Sequence, residues 1–569
     1  MNNKQININY MISNLKLQIV SILIGLLVVV GLPFGNAQNR SLSTMPLLQA
    51  DNFTSSQVEN LNNTPAYDRC LKIYNQLVAA RGDFRFPVPS LVLRREVSKV
   101  ASIDYDRLEI IIEEKAYQAC EPYGDAAIAF LLGHELTHYY EKHAWRRGFI
   151  SEFSDLQIAK DLSKLQDQIA YETEADYLGG FLAYSAGFGL FNKGGEVIKN
   201  LYLAYQVKDP IPGYPALHDR MELSKKTNLK LKQLVELFDM ANYLSAIGMY
   251  AESREYYKYV LMQYQSRELY NNLGMSCFLE ALSYFKKEEL VFQYALQLDL
   301  ESTASRGDDD ILSIRTKLLK QGIQYFDAAI SMDPEYIPAY LNKANVYAIL
   351  GDSVRAKFYA EQEALVLAIK KGDAKSIGDL KNLLGILKLK EGDPVKAELL
   401  WNESIALGGV CATNNLFLLK NGKAKSINKP IESQIPETIQ GMSLDAIAEN
   451  FEFDRSSMVY LDGGNRYCHQ FTETDSSMHS HYFFNKCTKD INGTYQYILF
   501  NKCNESYTGS SGLGIKIGSK IEDVLLKYGK PLNEIGTSSG LLLIYPSILF
   551  ITDRDQNVVS WINYATYLK

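Results

Sequence analysis

Residues 124–145 read GDAAIAFLLGHELTHYYEKHAW, an Ala- and Leu-rich helical pattern that carries His134, Glu135 and His138 as HELTH. On a helix, histidines four positions apart lie on one face about one turn apart, so both imidazoles reach a single metal ion. Glu135 stands beside them, where a carboxylate can polarise a water on that metal and take its proton. The whole chain holds only 7 histidines, which makes a fortuitous HExxH rare. The stretch therefore predicts a helix that supplies two metal ligands and a base.

Zinc catalysis needs a third protein ligand and an open fourth position. The candidate lies further along the chain, in Tyr171–Gly180, YETEADYLGG. Glu172 and Asp176 fall one helical turn apart on the same face. Glu172 is the expected ligand; Asp176 is expected to accept a hydrogen bond from a ligand histidine and orient its ring. Ala175, Gly179 and Gly180 are small, so this helix is expected to pack closely against the HELTH helix.

LLGHELTH followed by Glu172-Thr-Glu-Ala175-Asp176, an ExxAD motif, resembles the zinc metallopeptidases of HtpX and CAAX prenyl endopeptidase type, over roughly Tyr67 to Leu223. The resemblance implies one zinc ion per chain held by His134, His138 and Glu172, with Glu135 as the catalytic base. Members of that family often carry a His-Pro pair six residues before an arginine. Here Gly213-Tyr-Pro-Ala-Leu-His-Asp-Arg220 keeps Pro215 and Arg220 and places Tyr214 where the histidine stands. The resemblance thus implies that Tyr214 donates to the oxyanion, with Arg220 just behind the ligands. His218 is expected to face solvent. Ser90–Leu93 and Ser102–Ile112 are β-rich; in the family a short sheet borders the cleft, and its edge can pair with extended substrate backbone.

The chain has 569 residues and 64.3 kDa, enough for roughly three to four domains. Its 47% hydrophobic and 22% charged residues are ordinary for globular domains. Lys and Arg number 59 against 66 Asp and Glu, a net charge of −7, and no nucleic-acid partner is expected of that balance. Lys4 and Lys16 precede an apolar run from Ile19 to Phe34, followed by Gly35 and Ala37. That pattern predicts a signal peptide over 1–37 and a periplasmic or secreted protein with no stable membrane span, the alternative being an uncleaved anchor. Seven cysteines, none spaced as CxxC, suit structural bridges mixed with buried thiols.

Beyond the peptidase segment, 38–229, a helical region over 230–425 repeats with a period of about 34, as tetratricopeptide repeats do. Phe326, Ala329 and Pro334 close one unit; Tyr340, Ala344, Tyr347, Gly351 and Ala356 mark the next; Leu384, Gly385, Gly392, Ala397 and Trp401 mark a third. Glu301–Asp310 is expected to interrupt the array as a loop. The tail, 435–569, reads as a small accessory α/β domain. Gly441-x-x-Leu444-Asp445-x-Ile447 and Gly518-x-x-Ile521-Glu522-x-Val524 hint at a tandem copy within it. His469, His479 and His481 read there as a solvated loop.

The expected fold class is multidomain: a mainly α zincin with a small β-sheet, an α-solenoid and a small α/β domain. The expected function is a zinc-dependent endopeptidase acting on unfolded or misassembled secreted or envelope proteins, with protein partners held by the helical repeats. The alternative is a chaperone or assembly scaffold with a latent or inactive peptidase site.

Overall fold

Helix α1 (Pro65–Arg81) opens where Thr64 Oγ1 accepts from the Tyr67 amide and Pro65 presets the first turn. It closes at Gly82, whose φ of 56° suits a residue without Cβ. The computed structural model that shows this describes residues 59–568, apart from 96–99, 106, 144–167, 190, 208–215, 287–288, 296–307, 423–436, 440, 452–457, 462–466, 476, 485–495, 537–539 and 554. The expected signal-peptide segment, 1–37, and Tyr214 lie outside the described residues. The chain is mostly helical, with a separate β-sheet region towards its C-terminus. No described helix is long and apolar enough to cross a membrane.

Strands β1 (Ser90–Arg94), β2 (Ala101–Asp104) and β3 (Glu109–Glu113) form a sheet in the order β1-β3-β2. The β-rich stretch 102–112 divides in two because Asp104 Oδ1 accepts from the Arg107 amide and Leu108 takes a φ of 56°. Helix α2 (Glu114–Cys120) then leads into α3 (Asp125–Tyr140), which is buried at every residue from Ala127 to His138. A helix apolar on all sides belongs at the centre of a core, and α3 lies there. Helices α4 (Gln168–Ala183), α5 (Gly194–Ala204) and α6 (Leu217–Ala246) pack around it.

Helix α6 runs unbroken for 30 residues through the expected boundary at 229/230. Its Leu231, Leu234, Val235 and Leu237 share one apolar core with α3, with helices α7 (Tyr250–Gln263) and α8 (Arg267–Ser283), and with part of the C-terminal sheet.

The array continues as α9 (Asp308–Met332), α10 (Ile337–Ile349), α11 (353–371, with a π-helical stretch at Phe358–Ala364), α12 (Ala374–Lys390), α13 (Pro394–Ala406) and α14 (Val410–Asn421). The expected loop at Glu301–Asp310 is corrected at its end: Asp308–Asp310 already open α9, and the rest lies outside the described residues. Its connectors reuse one device. Gly351, Gly372 and Gly392 end helices at positive φ, and the aspartate after each caps the next helix, accepting from the Arg355, Ser376 and Lys396 amides. Within pairs, small meets large. A Cβ on Gly274 would sit 2.6 Å from the Phe326 ring, and one on Gly385 would sit 2.5 Å from Trp401 Nε1.

The tail combines helices and strands, as expected, and its strands form one eight-stranded antiparallel sheet in the order β10-β11-β12-β13-β9-β8-β7-β6. Helix α15 (Leu444–Glu449) precedes β6 (Val459–Tyr460), β7 (Cys468–Asp475), β8 (Met478–Phe484) and β9 (Gln496–Cys503). Helix α16 (Ile521–Tyr528) precedes β10 (Asn533–Gly536), β11 (Leu541–Ile544), β12 (Ile548–Thr552) and β13 (Val558–Leu568). Each half is a helix and a four-strand meander, and the halves join through their last strands, with Trp561 opposite Cys503. The two Gly-x-x-h-acidic-x-h motifs mark the two helices. A two-residue ladder of β4 (Thr438–Ile439) with β5 (Met442–Ser443) stands ahead of α15.

The histidines of this region are not on a solvated loop. His469 on β7 and His481 on β8 are buried where the sheet docks on α6 and α7. The Tyr256 hydroxyl lies 3.1 Å from His469 Nδ1, Glu236 Oε2 lies 3.1 Å from His481 Nε2, and Lys502 Nζ donates to Asp239 Oδ2 at 2.9 Å. Burial, with His481 alongside, pushes the His469 imidazole well below its usual pKa, so it stays neutral and can accept from Tyr256. Of the cysteines, Cys468 is disulfide-bonded, while Cys70, Cys120 and Cys277 are buried thiols.

Candidate metal centre

Two glycines set the separation of α3 and α4. A Cβ on Gly133 would lie 2.6 Å from Gly179 O, and one on Gly179 would lie 2.6 Å from the His134 amide nitrogen. Any side chain at either position would push the helices apart. At this contact His134 and His138 of α3 meet Glu172 and Asp176 of α4.

The three expected ligands converge. His134 Nε2 and His138 Nε2 are 3.0 Å apart; Glu172 Oε2 is 3.5 Å from the first, and Glu172 Oε1 is 3.7 Å from the second. Ligands about 2.0–2.1 Å from a tetrahedral zinc stand roughly 3.3 Å from one another, so the donor set fits that ion. His134, His138 and Glu172 are 1%, 0% and 5% exposed, and Glu172 Oε1 is buried without a hydrogen bond. A buried carboxylate oxygen left this way is costly unless a cation faces it.

The groups behind the ligands are ordered too. His134 Nδ1 is 2.7 Å from Asp176 Oδ1, which turns Nε2 towards the other ligands. Burial disfavours charge on His134, but the Asp176 and Glu172 contacts outweigh it and hold the imidazole up at about 10. His134 must shed that proton before its Nε2 can ligate a metal. Arg220, buried on the first turn of α6, reaches Glu172 Oε2 at 3.4 Å. Glu135 is fully buried on α3 between the two histidines. His218 is exposed, as expected.

Sequence reasoning missed His143 and Glu174. His143 Nδ1 lies 2.7 Å from His138 Nδ1, and His143 Nε2 lies 3.2 Å from Glu174 Oε2. With His138 Nε2 facing the ligand cluster, the consistent proton placement has His138 Nδ1–H donating to His143 and His143 Nε2–H donating to Glu174. Helix α4 thus serves the cluster from alternate positions, 172, 174 and 176. The signal was present in EKH at 141–143 and in ETEAD, but nothing in the spacing says that residue 143 folds back on residue 138.

No known protein-family model matches the chain, and no curated protein matches it. Among solved structures, the human IFIT1 dimer with m7Gppp-AAAA is similar at 14% identity and a TM-score of 0.28, over 52% of this chain and 63% of that one. A monomeric IFIT1 mutant with Gppp-AAAA is similar at 14% identity and 0.27, over 51% and 60%. The chain thus spans less than two thirds of either protein, and at these TM-scores the likeness defines neither a fold nor a function for it.

Proposed function

We propose that the chain is a zinc metalloendopeptidase, periplasmic or secreted, that cuts unfolded or misassembled secreted or envelope proteins. The observation that carries the reading is the buried donor triangle of His134, His138 and Glu172, with Asp176 orienting His134. Zinc bound there supplies a Lewis acid for the scissile carbonyl and makes an attacking water acidic near neutral pH. The remaining work falls to side chains. The Glu135 carboxylate takes the proton of the attacking water and hands it to the leaving amine nitrogen. Arg220 offsets the buried charge of Glu172. Tyr214 donates to the developing oxyanion, a role that rests on the family resemblance alone. The helical array, read as tetratricopeptide repeats, holds protein partners.

The near-complete burial of His134, Glu135 and His138 favours a second reading, a chaperone or assembly scaffold with a latent site. Cleavage of reduced casein with and without 1,10-phenanthroline decides between them. Chelator-sensitive cleavage supports the enzyme. One zinc per chain without cleavage supports the scaffold, and a chain that takes up no zinc removes the metal from both.

A further inference from the structure

Between α8 and α9 the chain leaves the regular array, and the segment Leu290-Val-Phe-Gln-Tyr294 crosses α12, α13 and α14. Two buried asparagines clasp its main chain. Asn415 Oδ1 accepts from the Gln293 amide at 2.7 Å, while Asn415 Nδ2 and Asn382 Nδ2 donate to the Gln293 carbonyl at 2.8 and 3.1 Å. Asn415 Nδ2 also donates to Asn382 Oδ1 at 2.8 Å, which fixes both amides in this sense. One position further, Cys411 Sγ donates to the Tyr294 carbonyl at 3.4 Å, and Phe292 lies 6.3 Å from the Trp401 ring.

The clasp satisfies one residue's N–H and C=O together, as a neighbouring strand would, while the Gln293 side chain adds a single contact, accepting at Oε1 from Asn414 Nδ2. It also has a periodic counterpart. Asn345 on α10 and Asn382 on α12 stand one repeat apart, each the ninth residue of its helix. Asn345 is 0% exposed, with both side-chain amide atoms unpaired.

We propose that this face of the array is a binding groove for extended polypeptide, recognised through its main chain, and that residues 290–294 occupy it in cis. An unfolded segment of another protein takes the same place by displacing them. The inference deepens the array half of the reading above and does not depend on the metal half.

The probe is a fluorescein-labelled peptide, ELVFQYA, of the sequence at residues 289–295, titrated into the full chain and followed by anisotropy. A variant carrying Phe292→Ser and Gln293→Pro loses both the aromatic contact and the clasped amide, which frees the groove. It should bind the peptide at least about 10-fold more tightly than wild type. Adding Asn382→Ala and Asn415→Ala should return binding to the wild-type level, and a peptide N-methylated at its glutamine should bind about 10-fold more weakly. A freed variant of unchanged helicity that binds no better than wild type overturns the proposal, as does an N-methyl peptide of equal affinity. Should the freed variant lose helicity, hydrogen exchange at the Gln293 amide of the unaltered chain decides. Slow exchange that quickens at saturating peptide supports displacement, and exchange that peptide leaves unchanged overturns it. Zinc content of the same samples keeps a failure of the metal reading separate.

Discussion

Asp176 Oδ1 sits 2.7 Å from His134 Nδ1, and both groups are buried, on helices that touch through bare glycine backbone. A carboxylate so placed fixes the tautomer and the ring plane of a ligand histidine. Asp176→Ala should therefore weaken zinc binding by roughly 10–100-fold without abolishing it. Glu172→Ala, which removes a ligand outright, should leave little bound zinc. Glu135→Gln should keep full zinc and lose hydrolysis. Metal analysis of the purified variants checks all three, and full zinc in Glu172→Ala would remove that residue from the site.

His143 holds His138 as Asp176 holds His134, but at one remove, with Glu174 behind it. His143→Phe should weaken zinc binding by about 10–100-fold. His143→Gln, whose side-chain oxygen can accept from His138 Nδ1–H, should recover part of that loss. Glu174 is 37% exposed at its side chain, so Glu174→Gln should cost less than either. Chelator competition gives the affinities, and equal thermal melting of the metal-free proteins shows that the loss is not one of folding.

Gly179→Ala tests whether the glycine crossing makes the site. Its Cβ would meet the His134 amide nitrogen at 2.6 Å, an atom of the helix backbone that cannot swing aside. Overpacking of this kind costs about 1–3 kcal/mol, and here it also drags Glu172 and Asp176 away from the histidines. Melting temperature and zinc affinity should fall together. The neighbouring Gly180→Ala is the control, because its Cβ would meet only the Leu231 Cδ2 methyl at 2.6 Å, the end of a flexible side chain. It should leave zinc affinity within about threefold of wild type, less than the roughly 10-fold that about 1.4 kcal/mol brings.

The parts legible in the sequence were those in which a short period fixes the geometry. HELTH and ETEAD each place their polar groups one helical turn apart, and the structure brings His134, His138, Glu172 and Asp176 together; Arg220, which only the family resemblance pointed to, reaches Glu172 beside them. Tyr214 lies outside the described residues. What was not legible depended on contacts distant along the chain. Helix α6 brings Arg220 to the metal ligands and, more than four turns further on, Glu236 to the C-terminal sheet. The two positions are about 24 Å apart along the helix axis, so a boundary drawn between them at 229/230 divides one element between two neighbours. His469 and His481 read as polar loop residues because α6 and α7, which bury them, stand at the opposite end of the helical array in sequence.

The docking of that sheet should be acid-sensitive through Glu236. Burial alone would raise its carboxyl pKa. The His481 contact, ahead of Lys502 and His479, outweighs burial and holds the carboxyl at about 2, against an ordinary 4.5. A folded-state pKa below the unfolded one means that the unfolded chain binds the proton first, so the contribution is complete above pH 4.5 and is lost as pH falls through about 2. Other groups face the same interface: Asp239 on α6, Tyr256 on α7, His469 on β7, and Lys502 on β9. The effect must therefore be isolated by difference. Glu236→Gln should lower stability to urea at neutral pH, and the gap between variant and wild type should narrow as the solution is acidified through that window. A gap that stays constant across it would show that the charge of Glu236 does not hold the sheet to α6.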